Sequence, residues 1–164
     1  MYDSYLCAVN DVVTFSVVDA ASDAARWAMT QYFEELDARF TDGFDPGTAY
    51  DEAAVALNPP NGAFVVAIRA DDVVGCGAIQ FLDNDWAEIK RMWVSPLARG
   101  IGLGRRLLAH LEGVIHASGC AHVVLDTNGV LIEAITMYRS SGYEPIERYN
   151  DNPYAQLWFG KSLS

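Results

Sequence analysis

Basic residues are scarce in this chain: 11 lysines and arginines face 22 aspartates and glutamates, for a net charge of −11 over 164 residues. That balance argues against a nucleic-acid partner, because phosphate backbones favour a positive surface. It permits a cationic substrate without demanding one. Cysteine is sparse too. Cys7, Cys76 and Cys120 are odd in number, widely spaced and form no Cys-x-x-Cys pair, so neither a disulfide framework nor a zinc site is supported. His110, His116 and His122 have no spacing partner for metal or nucleophilic catalysis and read as structural or exposed. No apolar run approaches the ~20 residues of a membrane span, and no basic stretch followed by an apolar one stands at the N-terminus. A soluble, cytoplasmic protein with no membrane partner and no metal is therefore expected. Repeats, low-complexity tracts and linkers are also missing, so residues 1–164 read as one domain, long enough to bury a core.

What is present alternates between strand and helix patterns. Val12–Val18 is rich in β-branched residues and reads as a first strand. Ser22 is a natural N-cap for a helix over Asp23–Phe40, where Trp27, Ala28, Tyr32, Leu36 and Phe40 recur at three- and four-residue steps. Thr48 with Asp51 resembles a capping box for a short helix to Leu57, which Asn58-Pro59-Pro60-Asn61-Gly62 breaks. Ala63–Ala70 and Val73–Phe81 form a hairpin, with Gly75 and Gly77 allowing a close approach to the second strand. Asp83-Asn84-Asp85 turns the chain into a strand over Trp86–Val94. Leu103, Leu107, Leu111, Val114 and Ile115 stripe a long helix ending near Ser118-Gly119. A short strand at Val123–Leu125 precedes a helix marked by Leu131, Ala134, Ile135 and Tyr138 and closed by Gly142. Tyr143–Arg148 and Ala155–Lys161 read as two last strands joined by a polar turn. An α/β (α+β) domain around a central mixed sheet is the economical reading.

The stretch Glu88–Leu108 carries the clearest chemistry. A strand ends in Val94-Ser95-Pro96, and Gly100, Gly102 and Gly104 then alternate with other residues as a helix begins. Backbone N–H groups left uncovered there make a site for a phosphate or pyrophosphate. A mononucleotide P-loop needs Gly-Lys-Ser/Thr after its last glycine, where Arg105-Arg106 stands here. A dinucleotide fold prefers its glycines near the chain start, not after three antiparallel strands. A glycine-rich turn that binds nothing is the remaining alternative.

The order Arg99-x-x-Gly102-x-Gly104, behind Val94-Ser95-Pro96 and ahead of an amphipathic helix, resembles the glycine-loop motif of the GNAT superfamily of acetyl-CoA-dependent N-acetyltransferases. Met137-Tyr138-Arg139-Ser140-Ser141-Gly142-Tyr143 is similar to that family's C-terminal signature, and the likeness covers Ala63–Gly160 in the family's element order. The resemblance implies a mostly antiparallel sheet of about seven strands, splayed in the middle and flanked by about four helices. It implies acetyl-CoA as cosubstrate. The backbone of Met92, Trp93 and Val94 would pair with the pantetheine arm as an added strand. N–H groups of Arg99, Gly100, Ile101, Gly102, Leu103, Gly104 and Arg105 would hold the pyrophosphate, with the side chains of Arg99, Arg105 and Arg106 either adding charge or lying solvated. One departure concerns the asparagine that many bacterial members carry seven positions before the tyrosine. Leu131 stands there, with Asn128 nearby but out of register.

Acetyl transfer to an amine needs a neutral nucleophile, yet an alkylammonium of pKa ~10.4 is mostly protonated at neutral pH. Glu88 is the candidate base. Six residues before Val94, it shares that residue's face on a regular strand, and its spacing resembles that of the catalytic glutamate in the family's histone-acetyltransferase branch. The alternatives are a surface glutamate paired with Lys90, or one that a bulge turns away. The resemblance implies Tyr138 as the acid that protonates the leaving thiolate; a core aromatic is the alternative. It also implies substrate walls from the first two helices and the last hairpin, making Phe33, Asp37, Tyr149 and Tyr154 candidate contacts. Glu34, Glu35, Asp42 and Asp45 would attract an amine or form a solvated face, and Arg39 leaves room for a carboxylate-bearing substrate. The expected activity is direct acetyl transfer from acetyl-CoA to a primary amine of a small molecule or amino acid. The alternatives are a non-catalytic acyl-CoA-binding regulatory module and an enzyme for protein N-termini or lysines. Exposed strand edges would admit a homodimer.

Overall fold

Residues 12–83 and 85–163 are described by the computed structural model, so Cys7 and the middle of the Asp83-Asn84-Asp85 turn lie outside it. β1 (Val13–Val18) pairs antiparallel with β2 (Gly62–Arg69), and β2 with β3 (Asp72–Phe81). Ala70 and Asp71 both take positive φ between β2 and β3, the twist that a two-residue hairpin needs. β4 (Trp86–Val94) follows β3 antiparallel and meets β5 (His122–Thr127) in parallel. β6 (Glu144–Pro145) and β7 (Leu157–Ser162) complete a seven-stranded mixed sheet in the order β1-β2-β3-β4-β5-β7-β6. The strand expected over Tyr143–Arg148 shrinks to two paired residues. Ile146 still donates to Trp158 O at 2.9 Å, but the chain then leaves the ladder.

α1 (Asp23–Arg39) starts where Ser22 Oγ accepts from Ala25 N–H at 3.3 Å. It buries Ala25, Ala28, Met29, Phe33 and Leu36, whereas Trp27, expected on that face, is 49% exposed. α2 (Ala49–Ala56) lacks the expected capping box, because Thr48 Oγ1 donates to the Glu52 side chain at 3.0 Å instead of accepting from the backbone. These two helices cover one face of the sheet through Phe64, Val66, Cys76, Ala78 and Trp93. α3 (Leu103–Ala117) and α4 (Ile132–Ser140) cover the other, against Val65, Ile79, Ile89, Val123 and Phe159. Gly142, at φ +94°, follows α4 in the left-handed conformation expected of it. The α/β class and the four flanking helices expected from the sequence are those observed among the described residues. None of these helices is long and apolar enough to cross a membrane.

β4 holds one residue more than its partner allows. Ala78 faces Lys90 but Cys76 faces Trp93, so Arg91 and Met92 share the place opposite Gly77, and Arg91 stands at φ +57°. Side-chain alternation reverses there. Glu88 and Lys90 lie on the α1 face, while Val94 packs with Ala98 and Leu103 on the α3 face, which corrects the expectation that Glu88 and Val94 share one. The β4–β5 ladder spans only Trp86–Glu88 against His122–Val124, so the two strands part just ahead of the bulge.

The close approach expected at Gly75 and Gly77 comes from the protein itself. A Cβ on Gly77 would lie 2.6 Å from Leu111 Cδ1 and 3.0 Å from Met92 Sδ. Gly77→Ala should lower the unfolding free energy by about 1–3 kcal/mol in a urea titration. Gly113→Ala, where nothing lies within 4 Å, should instead leave it unchanged or raise it by up to ~1 kcal/mol.

Candidate functional site

Two cavities open where β4 and β5 separate. One, of about 480 Å3, runs along Met92, Trp93 and Val94 to the glycine turn and α4. The other, of about 470 Å3, lies beneath α1 and α2 and is walled by Phe33, Phe40, Phe44 and Tyr154, with Glu88, Arg91 and Asp126 at its base. Tyr32, Leu36, Met92, Leu131, Ala134 and Tyr138 line both, so the two spaces meet.

The glycine turn joins β4 to α3. A single 3-10 turn, Pro96–Ala98, is capped by Ser95 Oγ accepting from Leu97 N–H at 3.3 Å. Gly100 (φ +84°) and Gly102 (φ +76°) then hold left-handed conformations that side chains rarely adopt. Arg106 N–H bonds Gly102 O at 3.1 Å, and the N–H groups of Leu103, Gly104 and Arg105 are first-turn donors at the positive end of α3 with no partner among the described residues. Gly104 serves packing, since a Cβ there would lie 3.0 Å from Met137 Sδ.

The arginines divide by partner. Arg99 donates from Nε to Val94 O at 3.1 Å and pairs with Glu35 of α1, bracing the turn against that helix. Arg106 reaches Val13 O at 3.4 Å and lies over Phe15, away from the groove. Arg105 lines the groove, and no side-chain partner is recorded for it among the described residues. Arg39 is bound to Glu133 and to Val130 O at 2.9 Å, which latches α1 to the start of α4 and leaves its charge matched.

Glu88 is buried, with 6% of its surface exposed. Tyr149 O–H donates to its Oε2 at 2.6 Å, Asn150 Nδ2 donates to the same oxygen at 3.2 Å, and Lys90 Nζ stands 3.7 Å from Oε1. The Lys90 pairing expected from the sequence is thus present, but inside a cavity rather than on the surface. Asn150 also donates to Asp126 Oδ2 at 2.6 Å and accepts from Trp158 Nε1 at 3.0 Å, while Asn152 donates to Asp126 Oδ1 at 3.1 Å. Burial first, and then the Glu88 charge, push the Tyr149 phenol far above its ordinary range, so it stays a neutral donor.

Tyr138 is 6% exposed, and its O–H has no hydrogen-bond partner recorded among the described residues. Burial pushes that phenol well up, so it keeps its proton at the junction of the two cavities.

Of the other expected contacts, Phe33 and Tyr154 line the cavity beneath α1 and α2. Tyr149 touches it only through Glu88, and Asp37 lines neither space: its carboxylate accepts from Phe44 N–H at 2.8 Å and holds the turn after α1. Asn128 secures the loop beside Tyr154 by donating to its carbonyl at 2.9 Å. Asp126, Arg91, Asn150 and Asn152 carry no sequence signal beyond a polar turn and a strand interior. Sequence reasoning passed over them.

Comparison with known proteins gives one family. Its model, described as Acetyltransferase (GNAT) family, matches residues 24–143. An IAA acetyltransferase of Azospirillum brasilense is 35% identical over 140 residues, covering 83% of this chain and 91% of that one. A solved GNAT-family acetyltransferase from Staphylococcus aureus Mu50 superposes with a TM-score of 0.81 at 16% identity, over 93% of this chain and 100% of its own. A GNAT-family acetyltransferase from Elizabethkingia anophelis, solved with acetyl-CoA bound, gives 0.68 at 15% identity, over 93% and 99%.

Asn150 ties Glu88, Asp126 and Trp158 into one network, and its removal leaves the half-buried Trp158 Nε1 without its acceptor while Glu88 keeps Tyr149 and Asp126 keeps Asn152. Asn150→Ala should destabilise the fold by about 1–3 kcal/mol in denaturant titration, and Trp158 fluorescence should report the loosened loop.

Proposed function

Because the chain belongs to the Acetyltransferase (GNAT) family, we propose that it is an N-acetyltransferase that moves the acetyl group of acetyl-CoA directly to a primary amine of a small molecule or amino acid. Acetyl-CoA supplies the activated thioester. In this reading the open edge of β4 at Met92, Trp93 and Val94 pairs with the pantetheine amides, which fits a strand edge left free by the parting from β5. The first-turn N–H groups of α3 and the Gly100–Gly102 turn bind the pyrophosphate, with Arg105 as the side chain free to add charge.

The observation that carries the proposal is the meeting of a donor groove and an acceptor cavity at Tyr138. Glu88 is a base of the acceptor side. Its Oε2 is held by Tyr149 and Asn150, which keeps the carboxylate oriented while it accepts the ammonium proton directly or through water. Tyr138 acts on the donor side, where its O–H, at the junction of the two cavities, donates a hydrogen bond and then a proton as the thiolate leaves. No covalent acyl-enzyme is required: Cys76 is buried behind β4 with its thiol pushed up to about 12, and it donates to Arg91 O at 3.2 Å.

Free-thiol release from acetyl-CoA, followed across an amine panel, tests the reading. Tyr138→Phe and Glu88→Gln should each lower kcat by roughly 100-fold or more while leaving coenzyme A binding intact by calorimetry. Unchanged rates in both variants would remove these assignments. Tight coenzyme binding with no turnover for any amine would instead favour a regulatory acyl-CoA-binding module.

A further inference from the structure

Arg91 brings a guanidinium to the acceptor cavity without a counterion. Among the described residues it forms no ion pair, and its Nη1 is sealed from solvent with no hydrogen-bond partner. The guanidinium carbon lies 5.5 Å from the centroid of the Phe33 ring, and Cys76 Sγ pins the backbone carbonyl of Arg91 at 3.2 Å. The other charges around the cavity are answered. Glu88 has Tyr149, Asn150 and Lys90; Asp126 has Asn150 and Asn152; Glu52 accepts from Thr48 at 3.0 Å and Asp45 from Gly47 N–H at 2.9 Å. Lys90 also donates to Gln80 Oε1 at 3.3 Å. Carboxylates outnumber cations in this lining, yet among the described residues none reaches Arg91 at ion-pair distance, and a desolvated cation without a direct partner is costly where one given a bidentate acceptor is not. Burial lowers the proton affinity of Arg91, and the more distant charges of Glu52 and Glu88 offset this only in part.

We propose that Arg91 receives the carboxylate of the acceptor, so that the substrate is an amine that also carries a carboxylate, of the amino-acid type with an apolar or aromatic body. The amine end rests on the acetyltransferase reading above; the carboxylate end does not. The ring wall of Phe33, Phe40, Phe44 and Tyr154 takes the body of the molecule. Arg39, the arginine that the sequence offered for this task, is held by Glu133.

Free L-amino acids with apolar and aromatic side chains, each set against its carboxamide and its decarboxylated amine, provide the probes. In thermal-shift measurements on the coenzyme A-bound protein, the carboxylates should raise the melting temperature and the amides and amines should not. In thiol release, kcat/KM for the preferred amino acid should exceed that for its amide by about 10-fold or more, mostly through KM. Arg91→Met should abolish both distinctions with coenzyme A binding unchanged, and Arg91→Lys should restore part of them. Equal shifts from carboxylates and amides, no shift from any carboxylate, or discrimination that survives in Arg91→Met would overturn the proposal. Carboxylate-specific shifts without thiol release would overturn the acetyltransferase reading and uphold the Arg91 site.

Discussion

Arg91 stands at φ +57°, in a backbone region that residues with a Cβ enter at a cost of order 1–3 kcal/mol, and the extra residue admitted there opposite Gly77 reshapes β4. Three consequences follow from that one bulge. The alternation of side chains reverses, which sends Glu88 to the α1 face and Val94 to the α3 face. The pairing of β4 with β5 ends at Glu88–Val124, which frees the backbone of Met92, Trp93 and Val94 on one side. Arg91 itself is delivered into the cavity beneath α1 rather than into the sheet. Gly77 is the concession on the neighbouring strand, since Leu111 and Met92 occupy the space where its Cβ would be.

The rest of the site is assembled onto this opening from elements far apart in the chain. The turn after β4 and the first turn of α3 face the groove with N–H groups that have no partner among the described residues, and α4 can come close to them because Gly104 leaves room for Met137. Arg99 to Glu35 and Arg39 to Glu133 tie α1 to the opposite side, so the helix that roofs the cavity of Phe33 and Tyr154 is clamped by ions to both the turn and α4. Both pairs are partly exposed, and their worth is in fixing position more than in stability. The loop between β6 and β7 closes the remaining side. Having left the ladder, it carries Tyr149 and Asn150 to Glu88, and Asn152 to Asp126.

Patterns of local origin were legible in the sequence. The hydrophobic stripe of α3, the glycines that demand positive φ, the Ser22 cap and the hairpin of β2 and β3 all depend on residues within a few positions of one another. Other expectations failed for reasons equally physical. Thr48 found a side-chain partner in Glu52 and so did not cap its helix. The buried stripe of α1 runs through Met29 and Phe33, with Trp27 left half exposed, because the contact is set by where the sheet lies and not by apolarity alone. Asp37, one acid among several on α1, stays at the surface and accepts from Phe44 N–H, lining neither cavity.

The sequence by itself determined the family, the order of elements and the glycine turn before α3, since each rests on short-range spacing and on backbone conformations that glycine alone adopts easily. Only the tertiary structure decided which charges face the cavity. A bulge changes the facing of every residue beyond it without altering the sequence pattern, and the partners of Glu88 are 61 and 62 residues away. For the same reason Arg39 and Arg91, alike as sequence, end with opposite standing: one paired with Glu133, the other half-buried with no ion pair among the described residues.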